Sequence, residues 1–253
     1  MRRVLVTGAS RGIGRAVAVA FAENGDRVAV HYGKDADAAA RTLRLLPGAG
    51  HTTITGDLGD PDAARQVVET AVDALGGIDI LVNNAAVATS ATTRHPVAEV
   101  DFGQWQRIWQ QMLDVNLLGA VHLTYGVARH LIDRGAPGRV INIGSRGAFR
   151  GEPEFPAYAA SKAALHAFGQ SMAVALAPHG IAVTSVAPGF IGTERQEAKL
   201  ASDAGDEVRA QSPFGRVGTP DEVAAAVLYL ASPNATWASG TILDLNGASY
   251  LRT

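Results

Sequence analysis

The chain has 253 residues, 47% of them hydrophobic, and a formal net charge of −2 at pH 7. This length and apolar content suffice for one packed core, so we expect a single domain over residues 1–253. The charge disfavours a nucleic-acid partner held through its phosphates, and the absence of cysteine excludes disulfides, thiolate metal sites and thiol nucleophiles.

The first elements are a strand, a glycine-rich turn, a helix and a second strand. In chain order they are Val4–Thr7, the glycines Gly8, Gly12 and Gly14, Ala16–Glu23 and Arg27–Tyr32. Glycines let such a turn bend sharply and approach a pyrophosphate, which the N-terminus of the following helix attracts. The spacing here is G-x-x-x-G-x-G rather than the commoner G-x-G-x-x-G. A glycine-rich turn alone is weak evidence, but one that follows a strand and opens a helix favours a dinucleotide site over a plain turn.

Helix and strand patterns continue to alternate along the chain. The further predicted helices are Asp35–Leu46, Asp60–Leu75, Asp101–Ile132, 157–177 and Thr219–Ala231, and the further predicted strands are His51–Thr55, Ile78–Val82, Arg139–Gly144, Ile181–Val186 and Ile242–Leu245. Such alternation predicts an α/β fold, a single doubly wound Rossmann-type domain with a seven-stranded parallel sheet. The polar residues 190–216 show mixed signals and are predicted to form a mobile flap over a substrate site.

The segment from Ser145 to Lys162 holds the clearest candidate catalytic residues. On the helix predicted to open near Ala157, Tyr158 and Lys162 are four residues apart and share one face. An adjacent ammonium favours phenolate and lowers the tyrosine pKa from about 10, so the phenol can exchange a proton near neutral pH. Ser145 follows a strand end, where open α/β sheets place their chemistry. Taken alone, however, a packed tyrosine beside a solvated lysine is an equally good interpretation.

Asn116 lies in the middle of the long predicted helix, where asparagine is a poor helix former. It is either a solvated polar residue or the site of a functional distortion. Both interpretations stay open at this point.

Together these motifs resemble the short-chain dehydrogenase/reductase family along essentially the whole chain. The matching residues, in order, are Thr7, Gly8, Gly12, Ile13, Gly14, Asp57, Leu58, Asn83, Asn84, Ala85, Asn116, Ser145, Tyr158, Lys162, Pro188, Gly189 and Thr193. One departure is Ala86, where the family usually has glycine. The set is specific as a whole, although no single motif in it is.

The resemblance implies a role for each matching position. It assigns Ser145 to the substrate carbonyl, Tyr158 to proton transfer, and Lys162 to the nicotinamide ribose and to lowering the Tyr158 pKa. It assigns Asn116 to a water that links Lys162 to solvent. The remaining cofactor contacts that it implies are Asp57 with Leu58 at the adenine, Asn83, Asn84 and Ala85 at the adenosine, and Pro188, Gly189, Ile191 and Thr193 near the carboxamide, beside the turn residues Thr7, Gly8, Ser10, Arg11, Gly12, Ile13 and Gly14.

The end of the second strand decides between the two nicotinamide cofactors. An acidic residue there would bind the ribose hydroxyls of NAD and repel a 2′-phosphate. That place is occupied by Tyr32, and no acid occurs before Asp35, whereas Arg11 and Lys34 can meet a phosphate. We therefore expect NADP(H) rather than NAD(H). The alternative interpretation is that Arg11 only faces solvent.

The substrate is less well defined by the sequence. The nearest resemblance within the family is to 3-oxoacyl-carrier-protein reductases, because Arg129 matches a basic residue that meets the acidic carrier, but the second such position is Val174. The loop after Ser145 contains Arg146, Arg150, Glu152 and Glu154. These residues either bind a polar substrate or pair with one another on the surface, and we favour the second interpretation.

The leading hypothesis is therefore an NADP-dependent ketone reductase acting on a small-molecule carbonyl or alcohol, with 3-oxoacyl thioesters as one candidate substrate class. An NAD-dependent alcohol or sugar dehydrogenase is the alternative, and a cofactor-binding regulator without turnover is a remote third. The N-terminus lacks the features of a signal peptide and no run of 18 apolar residues occurs, so we expect a cytoplasmic protein with no membrane partner. Family resemblance and an alanine-rich helix 157–177 further predict a homotetramer.

Overall fold

Short apolar runs that alternate with amphipathic segments form the strands and helices of the fold. The computed structural model describes residues 1–202 and 204–252, leaving aside the side chains of residues 198 and 199. The strands are β1 (Arg3–Val6), β2 (Arg27–Tyr32), β3 (Thr52–Thr55), β4 (Ile80–Asn83), β5 (Gly138–Ile143), β6 (Ile181–Pro188) and β7 (Ile242–Leu245). They form one parallel sheet in the order β3-β2-β1-β4-β5-β6-β7, which confirms the predicted seven-stranded sheet.

The helices connect successive strands. They are α1 (Gly12–Glu23), α2 (Ala36–Leu45), α3 (Pro61–Leu75), α4 (Phe102–Leu113), α5 (Gly119–Asp133), α6 (Pro156–Leu176), α7 (Glu197–Leu200), α8 (Ala204–Ala210) and α9 (Pro220–Leu230). Within the described part of the chain, no helix is long and apolar enough to cross a membrane.

The two faces of the sheet carry separate cores. Side chains of one strand point alternately to opposite faces, so Val4 and Val6 pack toward α1 and α9, while Leu5 packs toward α3, α5 and α6. All three of these β1 residues are fully buried. Because both faces are covered, the only accessible part of the central strands is their ends.

Polar side chains cap the starts of several helices. The Asp35 carboxylate accepts a hydrogen bond from the backbone N–H of Ala38, and Asp60 caps α3 in the same way. Thr219 and Glu222 form a reciprocal capping box at the start of α9. These short-range features depend on neighbouring residues alone.

The longest predicted helix differs from the observed structure. It is interrupted by a π-helical segment, Asp114–Leu118, between α4 and α5, with Asn116 at its centre. π-Helical turns inside α-helices are rare and occur frequently at functional sites. Of the two interpretations left open for Asn116, the structure agrees with a distortion of the helix.

Candidate active site

A large cleft lies at the carboxyl ends of the strands, around the place where β1 and β4 are neighbours and the strand order reverses. Its volume is about 1450 Å³, enough for a dinucleotide together with a second small molecule. The lining includes the glycine turn after β1, the ends of β4 to β6, and residues of the predicted flap.

The glycine turn is fixed to the neighbouring strand by side chains that the sequence singled out. The Thr7 hydroxyl donates to the carbonyl of Val82 and accepts hydrogen bonds from the backbone N–H groups of Asn84 (2.9 Å) and Ala85 (3.0 Å). The Asn84 carboxamide donates to the carbonyl of Thr7 at 2.8 Å. These bonds join the ends of β1 and β4 and hold the turn open toward the cleft.

At two positions of the turn, the backbone geometry explains why the residue is glycine. Gly8 has a φ of +61°, a left-handed conformation that favours glycine. A Cβ on Gly14 would lie 2.4 Å from the Gly8 carbonyl oxygen and 2.5 Å from Asn84 Nδ2. The start of α1 can therefore approach the turn closely only because residue 14 has no side chain.

The N-terminus of α1 already holds an anionic group in this structure. The backbone N–H of Gly12 donates to Glu194 Oε2 at 3.1 Å, and Arg15 Nη1 pairs with Glu194 Oε1 at 2.7 Å. A helix N-terminus attracts anions through its free N–H groups and its dipole. The glycine cradle and this bound carboxylate both fit the pyrophosphate of a dinucleotide.

His31, on β2, supports the turn from behind. Its Nδ1 accepts from the N–H of Gly8 at 3.2 Å and its Nε2 lies 3.1 Å from the carbonyl of Gly56, to which it donates. Burial lowers the pKa of His31 to about 4, so the ring is neutral at physiological pH. The sequence offered no sign of this role.

The predicted phosphate-binding cations lie at the same end of the cleft. Arg11 and Lys34 both line it, and Arg11 forms an exposed ion pair with Asp35 at 2.8 Å. Tyr32 does not line the cleft; it is partly buried and packs against the core on the side of the sheet that α1 covers. The prediction that Tyr32 contacts the cofactor is therefore not supported by its position.

Ser145, Tyr158 and Lys162 converge on the middle of the cleft, and all three line it. Ser145 Oγ accepts from the N–H of Gly147 at 3.0 Å. Lys162 lies one turn beyond Tyr158 on α6, with Nζ 6.0 Å from the centre of the Tyr158 ring, and donates to the carbonyl of Ile143 at 2.7 Å. The predicted helical pairing is thus realised.

The predicted direction of the Tyr158 pKa is wrong. Burial raises the pKa of Tyr158 above its ordinary value, and the hydrogen bond with Ser145 offsets only part of this effect. The Lys162 charge does not reverse it, since its ammonium group binds Ile143 rather than the phenol. Burial also lowers the pKa of Lys162 to about 8.

Asn116 lies behind the cleft wall. Its Oδ1 accepts from the N–H of Val87 at 2.7 Å, while Nδ2 donates to the Val87 carbonyl and to Ser161 Oγ. Asn116 thereby ties the segment after β4 to the residue that precedes Lys162. Its predicted role in holding a water stays a prediction.

The predicted residues divide into two groups by position. Thr7, Tyr32, Asn83 and Asn116 do not line the cleft and support those that do. The lining group contains Gly8, Ser10, Arg11, Gly12, Ile13, Gly14, Lys34, Asp57, Leu58, Asn84, Ala85, Ser145, Tyr158, Lys162, Pro188, Gly189, Ile191 and Thr193. Asn83 is buried and donates to Thr124 Oγ1 and Asn142 Oδ1, so it braces the sheet from within.

Comparison with known proteins adds independent evidence. A family model described as enoyl-(acyl carrier protein) reductase matches residues 8–247. A 3-oxoacyl-(acyl-carrier-protein) reductase of Vibrio cholerae is 36% identical over 98% of this chain and 96% of its own length. An L-rhamnose 1-dehydrogenase (NAD(P)+) of Sphingomonas sp. is 33% identical over 99% of this chain and 96% of its own.

Solved structures give the same result. A short-chain dehydrogenase of Burkholderia cenocepacia, in complex with NADP, superposes with a TM-score of 0.87 at 32% identity, covering 98% of this chain and 97% of that one. The chain belongs to the short-chain dehydrogenase/reductase family. The predicted family, its Rossmann-type fold and the prediction of an oxidoreductase are confirmed.

The substrate end of this short-chain dehydrogenase/reductase contains residues that the motifs do not identify. Two of the charged loop residues have their partners outside the loop: Glu154 pairs with Arg94 at 2.7 Å, and Arg146 is buried against Gln211. The surface-pairing interpretation is therefore wrong for Arg146 and Glu154. Glu194 and Gln211 reach the cleft from segments remote in sequence, and no pattern in the sequence identified them.

Proposed function

We propose that this chain is an NADP(H)-dependent oxidoreductase that reduces a ketone to an alcohol, with Tyr158 as the general acid. The observation that carries the proposal is the convergence of Ser145, Tyr158 and Lys162 beside the anion-binding turn, in one cleft. When bound, the cofactor supplies a hydride to the carbonyl carbon. The side chains of the protein bind the carbonyl oxygen, donate the proton and stabilise the resulting phenolate.

Ser145 and Tyr158 are suited to bind the carbonyl oxygen. Because Ser145 Oγ accepts from Gly147, its own hydrogen stays available for donation. Hydroxyl donors aimed at an oxygen that gains negative charge stabilise the transition state. The raised pKa of Tyr158 keeps the phenol protonated at neutral pH, as a proton donor requires.

Lys162 acts when Tyr158 has given up its proton. Its ammonium group lies on the same face of α6 and is anchored by the Ile143 carbonyl, so it stays near the phenolate. An opposite charge at this distance favours the ionised phenol. The segment 190–216, several of whose residues line the cleft, is proposed as the substrate flap.

NADP(H) is favoured over NAD(H) by charge. Arg11 and Lys34 line the end of the cleft beside β2, and the nearest acid, Asp35, is neutralised by Arg11. The structural neighbour from Burkholderia cenocepacia is in complex with NADP. A 2′-phosphate has charge-assisted partners here that a ribose hydroxyl would not use.

Support for a 3-oxoacyl thioester comes from the Vibrio cholerae relative. Carrier-protein docking is less well supported, since Arg129 pairs with Asp133 at 2.7 Å and Val174 is apolar. The alternative, an alcohol or sugar dehydrogenase, is favoured by the Sphingomonas relative and by the charged lining of the substrate end.

The predicted cytoplasmic location and the predicted homotetramer remain part of this proposal. The homotetramer is supported by the exposed apolar surfaces of Tyr125 on α5 and Val174 on α6.

The test is NADPH consumption with an acetoacetyl thioester, with NADH in parallel. Tyr158→Phe should lower kcat by about 10²–10⁴-fold, because the proton donor is lost. NADPH binding, followed by fluorescence, should be retained. Tyr229→Phe, at an exposed position of α9 that does not line the cleft, is the matched control and should leave kcat unchanged. Unchanged activity of Tyr158→Phe would refute the assignment of the general acid.

A further inference from the structure

The residue after Ser145 is a buried cation. Arg146 is only 5% exposed, and its guanidinium packs 5.5 Å from the centre of the Phe190 ring. Its Nη1 donates to Ser249 Oγ at 2.6 Å and its Nη2 to Gln211 Oε1 at 2.9 Å. Both partners are neutral. A buried charge without a counter-charge is costly, and buried arginines are almost always paired.

A second guanidinium approaches the same neutral oxygen. Arg150 Nη1 donates to Gln211 Oε1 at 3.1 Å, so two cations share one carboxamide oxygen. Their mutual repulsion and the burial of Arg146 lower the pKa of Arg146. A planar carbonyl oxygen between two guanidinium groups occupies the position that a carboxylate oxygen would take in a charge-assisted pair.

Two of the nearby carboxylates are bound by other arginines. Glu194 is bound by Arg15 and Glu154 by Arg94. Glu152 attracts Arg146, and its Oε1 lies beside Gly147. The hydrogen-bond acceptor that Arg146 and Arg150 share is nevertheless the neutral carboxamide oxygen of Gln211.

The arginines face the reaction centre. Arg146 and Arg150 line the same cleft as Ser145 and Tyr158. Arg146 and Gln211 also form part of the wall of a smaller cavity of about 220 Å³ behind the cleft. A group held by Arg146 would belong to the same molecule whose carbonyl meets Ser145.

We infer that the substrate is an oxo acid, whose carboxylate is bound by Arg146 and Arg150 in place of the Gln211 carboxamide oxygen. This inference rests on the proposed reduction of a ketone and names the class of ketone. It makes Arg146 and Arg150 specificity-determining residues. Gln211 lies just beyond α8, so displacing it would also couple substrate binding to the flap.

The experiment compares oxo acids with their methyl esters. The ketone is placed two to five carbons from the carboxyl group, and NADPH consumption gives kcat/KM for each acid and its ester. At the best length the acid should exceed the ester by about tenfold or more, as expected for a hydrogen-bonded charge pair. Equal rates for acids and esters at all lengths would overturn the inference.

Variants then assign the preference to the site. Gln211→Glu places a carboxylate of the same shape between the arginines and should reduce the acid-to-ester ratio to about one. Arg150→Gln should reduce it partly, and Arg146→Gln fully, if the latter variant folds. Arg107→Gln, an exposed arginine that lines the same cleft, should leave the ratio intact. A ratio that survives both Gln211→Glu and Arg150→Gln would contradict the inference.

Binding without turnover separates the inference from the proposed function. A thermal-shift titration of the enzyme–NADPH complex uses 4-oxopentanoate and its methyl ester. Stabilisation by the acid alone, lost in Gln211→Glu, supports the site even if no ketone is reduced, in which case the proposed reaction fails. If neither compound stabilises the complex and no acid is preferred as a substrate, the carboxylate site is refuted.

Discussion

The two ends of the cleft are built in different ways. At the cofactor end, backbone groups and small residues of β1, β4 and α1 form a rigid cradle, fixed by Thr7 and Asn84. At the substrate end, long charged side chains are supplied by irregular segments. Arg146 bonds to Gln211, 65 residues away, and to Ser249, 103 residues away.

The difference teaches where specificity can change within one fold. A phosphate cradle needs backbone N–H groups in a fixed arrangement, so few residue types are compatible with it. The substrate end needs only side chains that meet in space, and loops tolerate substitution there. Cofactor binding and substrate recognition are thus separated along one cleft, with Ser145, Tyr158 and Lys162 between them.

Lys162→Met should have the largest effect, because this residue links the two ends. Activity should fall by about 100-fold or more, since the phenolate of Tyr158 loses its counter-charge. Stability at pH 7 should nevertheless rise by about 1–2 kcal/mol. The difference between the ordinary pKa of 10.5 and the folded value of about 8 corresponds to a cost of about 3 kcal/mol for burying the ammonium, which the lost bond to Ile143 partly offsets.

The stability difference between the wild type and Lys162→Met should change with pH. Between about 8 and 10.5 the folded protein has released the Lys162 proton while the unfolded chain still holds it. The wild type therefore gains stability relative to the variant as pH rises through this range. Denaturant unfolding at pH 7 and pH 10 measures the difference. A variant that is less stable than the wild type at pH 7 would contradict the prediction.

Gly14→Ala tests the rigidity of the cofactor end. A Cβ at this position would lie 2.4 Å from the Gly8 carbonyl oxygen, within the backbone of the turn. Overpacking of this kind costs about 1–3 kcal/mol, and NADPH affinity should fall with it. Gly151→Ala is the control, because nothing lies within 4 Å of a Cβ at this position and the residue does not line the cleft. Thermal unfolding and NADPH titration measure the stability and the NADPH affinity of both variants. Equal values for the two variants would argue against a tight cradle.

Arg11→Ala tests the charge at the cofactor end. Loss of the guanidinium removes one partner of the 2′-phosphate and leaves Asp35 unpaired and repulsive. The ratio of kcat/KM for NADPH over NADH should fall about tenfold. Arg41→Ala, an exposed arginine on α2, should leave the ratio unchanged. An unaltered ratio in Arg11→Ala would contradict this role of Arg11 and would leave Lys34 as the candidate contact of the 2′-phosphate.

Glu194→Gln should have the smallest effect, and it acts where the two ends meet. Glu194 comes from the predicted flap and occupies the N–H of Gly12 at the anion-binding turn. A neutral side chain competes less well with a pyrophosphate, so the Kd for NADPH should fall a few-fold, as expected for a half-exposed ion pair. Glu207→Gln on α8 is the control. A weaker affinity in Glu194→Gln would mean that the carboxylate assists cofactor binding.

The sequence by itself determined the features that rest on local patterns. The alternation of apolar strands and amphipathic helices predicted the parallel sheet, and the helices predicted to begin at Asp35, Asp60 and Thr219 are capped by those residues. The spacing of Tyr158 and Lys162 placed both on one face of α6. These succeed because helix periodicity and capping depend on residues a few positions apart.

The tertiary structure alone decided which groups meet and how deeply they are buried. It set the raised pKa of Tyr158, the packing of Tyr32 against the core and the contact of Glu194 with Gly12. It also turned Arg146 from an expected surface residue into a buried cation beside Gln211. Burial and long-range pairing depend on the packing of the whole chain, and no local pattern encodes them.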